Sequence, residues 1–295
     1  MPATSPQRIT EATITMYHRL FYSVPLIISL CLYHGSIKAD TELIYTQQTN
    51  SVFGNPTIIQ IQGSKVRMER NGGDLYLIYD HNTQTLFSIN PKNQTYVTNT
   101  LATIRARTEH LVAMQQQFTQ QLKKQIEELP ERQRAATLKR LEQAEKMLKI
   151  PQPKFAIEYD TKTDLILGKP CKIARFKVRT QLMRTLCYAP HSIINAEDFQ
   201  QLKAMFEFMN QLAQEAARIQ EQAQTPINLN SLIFEDSLIL RNHNTIPDTQ
   251  EELSVINTAP LDVQLFTIPS DYAELEPNNQ PPSIPHFIPL NANPY

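Results

Sequence analysis

The apolar residues of this chain follow two different periods, and the change between them divides the sequence into segments. Between residues 41 and 98 they alternate with polar residues or form short runs, as at 65–70 and 75–79. Alternation with a period of two is typical of half-buried antiparallel strands. The segment 71–74, Asn-Gly-Gly-Asp, favours a tight turn because Asn and Gly accept positive φ. No helical period interrupts this region, so it predicts an antiparallel meander.

Between residues 101 and 149 the apolar spacing changes to steps of three and four, which predicts a long inserted helical hairpin. Pro130 suits the first turn of its second helix. The ten basic and six acidic residues give this segment a charge of +4. That charge favours a solvated outer face, and contact with an anionic lipid or a partner is the alternative. The seam of the first helix is narrow and partly polar, so the hairpin is expected to pack weakly, as a detachable insertion. The seam contains Leu101, Ile104, Thr108, Leu111, Gln115, Phe118, Leu122, Gln125 and Leu129.

After the hairpin the period of two returns, and one further helix interrupts it. Strand-like runs occupy residues 155–188, and two more lie near 231–240 and 251–266. Asn195 is a good helix N-cap, with Asp198 three residues later in a capping-box arrangement. The Pro- and Asn-rich sequence from 273 to 295 predicts an irregular tail. The predicted helix after Asn195 places on one face Phe199, Leu202, Phe206, Met209, Ala213 and Ala216.

The N-terminal segment has the order of a secretory signal peptide. Arg19 precedes an apolar run of 14 residues, and a short polar stretch then leads to Ala39. The run is shorter than the roughly 20 residues of a membrane-spanning helix, which favours cleavage near Ala39 over retention as an anchor. Residues 1–39 are therefore interpreted as a signal peptide, with Met16 as an alternative start. Lipid attachment at Cys31 is the rival interpretation, and the large leucine before this cysteine disfavours it.

Two cysteines remain after cleavage, and both lie in strand-like segments, at 171–178 and 182–188. A turn centred on Arg179 would place Cys171 directly opposite Cys187. Residues directly opposite each other on antiparallel strands have Cβ atoms about 4.5–5.5 Å apart, which is close to the span of a disulfide. An exported protein lies in an oxidising compartment, so a Cys171–Cys187 disulfide is predicted.

Charge, glycine content and histidine spacing argue against several functional classes. The 28 basic and 29 acidic residues nearly cancel, whereas a nucleic-acid-binding protein needs a basic excess. Only 6 residues are Gly, which argues against loops that cradle phosphates. No nucleophile elbow is present, and the histidines lack paired metal-ligand spacing. The sequence thus predicts no enzyme, no cofactor, no metal site and no nucleic-acid partner.

Several short segments together resemble a bacterial family of domains of unknown function related to the LolA/LolB-like outer-membrane lipoprotein carriers. The resemblance implies an α+β fold over residues 40–272, in which a curved antiparallel β-sheet, an incomplete barrel, is closed on its concave side by helices. Carriers of this superfamily hold acyl chains in that concavity, and the family brings no catalytic residues. The segments are 61–70, 77–80, 89–96, 168–171, 186–187 followed by the helix after 195, and 266–272.

Aromatic and methionine side chains form a candidate apolar pocket, although the same residue types also build an ordinary core. The leading hypothesis is a non-enzymatic periplasmic or secreted protein of a Gram-negative-type envelope. It would bind lipid or lipoprotein acyl chains and contact membranes at most peripherally. The alternative is an interaction or sensor module whose charged hairpin docks an envelope protein partner. The candidate pocket consists of Met68, Tyr79, Phe87, Phe199, Phe206 and Met209.

Overall fold

A computed structural model describes residues 40–148, 155–217 and 231–276 of the chain. In these ranges fourteen strands form one curved sheet that does not close into a barrel, and helices pack against it. The predicted α+β class and incomplete barrel are therefore confirmed. The predicted signal peptide at 1–39 lies outside the described residues, and so does most of the predicted tail, from 277 to 295.

The strands and helices have the following bounds in chain order. The strands are β1 Thr41–Thr49, β2 Val52–Phe53, β3 Thr57–Gln62, β4 Lys65–Arg70, β5 Leu75–Asp80, β6 Thr85–Asn90, β7 Thr95–Asn99, β8 Phe155–Ile166, β9 Lys169–Val178, β10 Gln181–Pro190, β11 Ile233–Phe234, β12 Ser237–Thr245, β13 Asp248–Thr258 and β14 Ala273–Glu274. The helices are α1 Leu101–Glu127, α2 Glu131–Leu148 and α3 Ala196–Ala217.

The sheet consists of two meanders joined through the first strand. Its order is β14-β7-β6-β5-β4-β3-β1-β13-β12-β10-β9-β8, with β2 paired to β1 and β11 paired to β12. Strand β1 pairs with the late strand β13, which places Thr41 opposite Thr258. Strand β14 runs parallel to β7, so the sheet is mixed rather than purely antiparallel. Ala273 and Glu274 form that strand, although the sequence assigns them to the irregular tail.

β-Bulges interrupt the pairing where the sheet bends. Register shifts occur at Ser254 of β13 opposite β1, between Tyr159 and Thr163 of β8, and at Leu240 of β12 opposite β10. A bulge bends its strand and increases the local twist, so these shifts help the sheet to curve.

The sheet curves around α3, because strands from both of its halves contribute to one core with this helix. Leu86 of β6 and Ile166 of β8 belong to the same buried cluster as Phe199 of α3. We call this cluster the main core and the sheet surface that faces α3 the concave face. A smaller cluster lies on the outer face, where Ile268 and Tyr272 pack near β5.

Strand β5 is buried on both sides, since its alternate residues belong to the two clusters. Leu77 and Tyr79 lie in the main core, whereas Tyr76 and Ile78 lie in the outer cluster. A strand covered on both faces reads as a continuous apolar run, as 75–79 does. Ile268 and Tyr272, which cover the outer cluster, come after a 3-10 helix at Val263–Phe266. The sequence predicts a strand at the position of this 3-10 helix.

The predicted helical hairpin is present, and it is anchored to the body at its start. The hydroxyl of Thr100 accepts a hydrogen bond from the Thr103 amide at 3.1 Å, and the two residues form a capping box. Ile104 and Thr108 are buried, whereas Phe118 is 65% exposed. The predicted seam is therefore buried in the first turns of α1 and only partly covered further along, where Leu111 and Leu122 are half-buried and Phe118 is exposed. None of the described helices is long and apolar enough to cross a membrane.

The predicted disulfide between Cys171 and Cys187 is present, with Cα atoms 5.4 Å apart. The prediction that the two residues lie directly opposite each other is wrong, because Cys187 faces Ile173. A two-residue turn and a bulge at Met183 shift the register, so the bond joins diagonal neighbours on the same face. A disulfide is consistent with an oxidising, extracytoplasmic compartment.

Candidate functional site

Helix α3 covers the concave face, and its N-terminus is fixed to the sheet. The Asn195 side chain accepts a hydrogen bond from the Glu197 amide at 2.9 Å, which confirms the predicted N-cap. The buried carboxylate of Asp198 accepts a hydrogen bond from the Thr41 hydroxyl at 2.5 Å. This contact joins the first turn of α3 to β1, which lies near the centre of the sheet.

The buried surface of α3 is wider than the sequence predicts. Ala213, which the predicted face includes, is exposed. Met205, Phe208 and Leu212 are buried, although the predicted face omits them. A helix in a concavity is contacted on more than one side, so a single stripe underestimates its buried surface. The buried residues of α3 are Asp198, Phe199, Leu202, Met205, Phe206, Phe208, Leu212 and Ala216.

The structure brings together five of the six candidate pocket residues. Met68, Tyr79, Phe199 and Phe206 are buried in the main core, and Met209 is partly buried against it. Tyr79 also packs on Phe208, with ring centroids 5.4 Å apart. These side chains therefore form the contact between the sheet and α3.

Phe87 does not join the other five candidates. It lies in the outer cluster beside Tyr96, at a ring-centroid distance of 6.4 Å. Residues 85–90 form one strand, in which neighbouring side chains point to opposite faces. Leu86 takes the main-core side of β6, so Phe87 faces outward.

The apolar residues of α3 stay buried as far as its last turn, with a small rise in exposure at the C-terminal end. Phe199 and Phe206 are almost completely buried, whereas Leu212 is 8% and Ala216 is 9% exposed. At this end a cleft of about 230 Å³ opens between α1 and α3. We call it the α1–α3 cleft, and its lining consists of Leu101, Gln211, Gln214 and Glu215. Leu101 also packs against the main core, so the cleft borders apolar contacts.

Helix α1 carries two arginines in this region, Arg105 beside the α1–α3 cleft and Arg107 two residues further along. Arg105 pairs with the Glu215 carboxylate at 3.0 Å, and its side chain remains about half exposed. The Thr108 hydroxyl donates to the Glu215 carbonyl at 3.3 Å. Arg107 is only 7% exposed, and burial lowers the pKa of its guanidinium. Its Nε atom has no hydrogen-bond partner among the described residues. Glu215, which lines the cleft, is therefore paired with an Arg105 side chain that is accessible to solvent.

Two buried polar groups lie in the sheet, away from this cleft. The Tyr45 hydroxyl donates to the Ile239 carbonyl at 3.0 Å. Burial, reinforced by Glu251, raises the pKa of Tyr45 well above its ordinary value, so this phenol stays protonated. Arg184 donates through Nε to Asn242 at 2.6 Å. Burial lowers its pKa to about 10, against an opposing effect of Glu251.

Sequence reasoning missed these polar groups and the cleft. Tyr45 alternates in phase with the buried Leu43, and Arg184 with the buried Leu186, so the strand pattern was a signal that could have placed both on a covered face. Arg105 and Glu215 are 110 residues apart, so no local spacing connects them. Across the described ranges, no three His, Cys, Asp or Glu side chains are grouped to hold a metal ion. The arrangement offers apolar contact and a charged rim.

Comparison with protein families and with curated proteins finds no match. Among solved structures, that of PNGF-II is similar over 81% of this chain, at 10% identity and a TM-score of 0.37. This chain spans 31% of the PNGF-II chain. An uncharacterised conserved protein from Thermus thermophilus is similar over 86% of this chain and 98% of its own, at 6% identity and a TM-score of 0.34. Neither likeness is close enough to support an argument about function, and the resemblance to lipoprotein carriers stays a prediction.

Proposed function

We propose that this chain is a non-enzymatic binding protein of the cell envelope, which takes up one acyl chain between α3 and the concave face. The supporting observation is the cleft at the C-terminal end of α3, which borders the main core at Leu101 and the Arg105–Glu215 ion pair at Glu215. The disulfide supports an oxidising compartment, and we place the protein in the periplasm of a Gram-negative-type envelope on the N-terminal sequence.

The size of the α1–α3 cleft implies that α3 moves when a chain enters. The cleft has about 230 Å³, whereas pockets for small ligands usually have about 300–1,000 Å³. The N-terminus of α3 is held by the contact between Asp198 and Thr41. Its last turns border the cleft, and Leu212 and Ala216 there are slightly more exposed than Phe199 and Phe206. This end therefore swings outward while the acyl chain replaces its apolar contacts. Met205 and Met209 lie along this path, and methionine adapts its shape to irregular partners.

The rim of the cleft selects an amphiphile with an anionic head group. Arg105 is paired with Glu215, which lines the cleft, and its side chain is accessible to solvent. A carboxylate or phosphate at the end of an acyl chain exchanges with Glu215 as the partner of Arg105. Charge-assisted hydrogen bonds to guanidinium are strong and directional, which would fix the head group while the chain lies under α3.

The first test is mass spectrometry of an organic extract from natively purified protein, which should contain an acyl lipid. Titration with a fluorescent acyl-chain analogue that carries a terminal carboxylate then locates the site. Arg105→Glu should weaken binding by about tenfold, which corresponds to the loss of about 1.4 kcal/mol from one charge-assisted contact. Arg132→Glu makes the same charge change at an exposed arginine of α2 and serves as the matched control. Equal affinity of both variants, or no binding by the parent protein, would contradict the proposal.

A further inference from the structure

The last described residues run along the edge strand β7 toward the start of α1. Strand β14 is parallel to β7, and the Leu275 amide donates to the Tyr96 carbonyl at 2.8 Å. The Glu274 carboxylate accepts a hydrogen bond from the Thr98 hydroxyl at 2.5 Å. Strand β7 ends two residues before α1 begins at Leu101. The chain therefore leaves the sheet close to Leu101, which lines the α1–α3 cleft.

The residues that follow, 277–295, have an apolar pattern suited to an extended proline-rich segment. Six of them are proline, and none is Asp, Glu, Lys or Arg. Proline-rich sequences favour the polyproline II helix, which has three residues per turn and no internal hydrogen bonds. Ile284, Phe287 and Leu290 are spaced by three, so such a helix places them along one edge. This segment, which we call the proline-rich tail, therefore offers an apolar edge and free backbone carbonyls.

The α1–α3 cleft offers the complementary groups. Leu101 gives it an apolar wall that is continuous with the main core. Gln211 and Gln214 line it from α3, and both are exposed. Their side-chain amides donate and accept hydrogen bonds, as contact with a peptide backbone requires. A volume of about 230 Å³ is smaller than a usual small-ligand pocket of about 300–1,000 Å³, so without movement of α3 it suits a few side chains of a peptide.

We propose that the proline-rich tail binds to the α1–α3 cleft of its own chain. Its apolar edge packs on Leu101, while Gln211 and Gln214 hydrogen-bond to its backbone. Proline-rich peptides are recognised in this way, by an apolar groove that holds a preformed polyproline II helix. An acyl chain would then have to displace the tail, and this last step alone rests on the proposed function.

The length of the tail and its attachment favour this occupant over a segment from another protein. The three residues from Thr98 to Leu101 span at most about 10 Å. Residues 277–283 span about 20 Å when extended, so Ile284 can reach the cleft. A tether of this length gives the tail an effective concentration in the millimolar range, which keeps even a weak site occupied.

The test compares two full chains in their affinity for a fluorescent peptide of residues 277–295. One is the parent protein, and the other is a release variant that carries Ile284→Asp, Phe287→Asp and Leu290→Asp. The tail of the parent occupies the cleft, so the peptide should bind the release variant at least about tenfold more tightly than the parent. No binding to the release variant, or equal affinity for both chains, would overturn the inference.

Substitutions on α3 locate the site of the peptide. Gln211→Ala with Gln214→Ala, made in the release variant, should weaken peptide binding by about tenfold because two hydrogen bonds are lost. Gln121→Ala with Gln125→Ala changes two exposed glutamines of α1 and is the matched control, which should bind as before. Full affinity after the changes on α3 would contradict binding at the cleft. Unchanged melting temperatures of all variants would show that the fold is intact.

A photo-crosslinking analogue of phenylalanine at position 287 of the full chain gives a second readout. It should form adducts with residues 101–105 or 211–215 of the same molecule. The same analogue at Phe53, which is 76% exposed on β2, should not react with those residues. Adducts only between molecules would contradict binding within one chain. None of these measurements uses lipid, so a failure of acyl-chain binding would leave their results unchanged.

Discussion

At the scale of single residues, the sheet buries polar groups that the sequence leaves ambiguous. Tyr45 is completely buried, and its hydroxyl hydrogen-bonds to the Ile239 carbonyl. Burial raises its pKa well above the ordinary value, with a smaller effect from Glu251 in the same direction. The unfolded chain has a tyrosine of ordinary pKa, so above about pH 10 it binds fewer protons than the folded chain. Stability must therefore fall as the pH rises through that range.

The variant Tyr45→Phe isolates this effect. At about pH 8 the phenol is protonated in both states, so the substitution should cost only the hydrogen bond, about 1 kcal/mol. Above about pH 10 the variant should lose stability less steeply than the parent, by up to about 1.4 kcal/mol per pH unit. Urea unfolding at a series of pH values measures both quantities. Parallel curves for the two proteins would show that Tyr45 ionises equally in the folded and unfolded chains.

At the scale of elements, α1 is one helix with two environments. Ile104 is buried in the main core, whereas Phe118 is mostly exposed. The seam looks uniform in the sequence. Helical spacing shows which residues share one face of the helix, but it does not show what packs against that face. In the structure the first turns lie against α3 and the main core, whereas Phe118 beyond them is exposed. We therefore still predict that the part of α1 after its first turns, together with α2, can be removed without unfolding the rest of the protein.

Two alanine substitutions on α1 test this division. Ile104→Ala should lower the free energy of unfolding by about 2–4 kcal/mol, because it leaves a cavity in the core. Phe118→Ala should change it by less than about 0.5 kcal/mol, because an exposed side chain loses little on truncation. Chemical denaturation of the two variants gives the comparison. A similar large loss in both would mean that the distal part of α1 also packs on the body.

The disulfide shows how far strand patterns predict contacts. Sequence spacing correctly indicates a hairpin with Cys171 and Cys187 on one face, and the bond is present. The register differs by two residues, because neither the turn length nor the bulge at Met183 can be read from an apolar pattern. The same limit applies to the edge strand β14, which is too short to produce a pattern.

Removal of this bond should destabilise the protein substantially. Cys171→Ser with Cys187→Ser should lower the free energy of unfolding by about 3 kcal/mol, as expected for a loop of about this length. Thiol titration of the unfolded, unreduced protein with Cys31→Ser should detect no free sulfhydryl. Two titratable thiols in that protein would show that the bond does not form in solution.

At the scale of the whole molecule, the sequence predicts the local meander but not its closure through the centre. Strands β3 to β7 are sequential neighbours, and their alternation and turns suffice to order them. The pairing of β1 with β13 joins residues more than 200 positions apart, such as Thr41 and Thr258. No local period contains that information. The α1–α3 cleft depends on the same long-range assembly, which explains why the candidate pocket residues were predicted and the rim was not.

Binding of an acyl chain between α3 and the concave face requires α3 to move outward. Spin labels at Ala213→Cys on α3 and Lys92→Cys in the turn before β7 both occupy exposed positions and report this movement, with Cys31→Ser to prevent a third label. Without ligand, pulsed electron paramagnetic resonance should give one distance distribution. Addition of a long-chain fatty acid should add a second, longer population while the total label signal stays constant. An unchanged distribution in protein that has demonstrably bound the fatty acid would contradict the account.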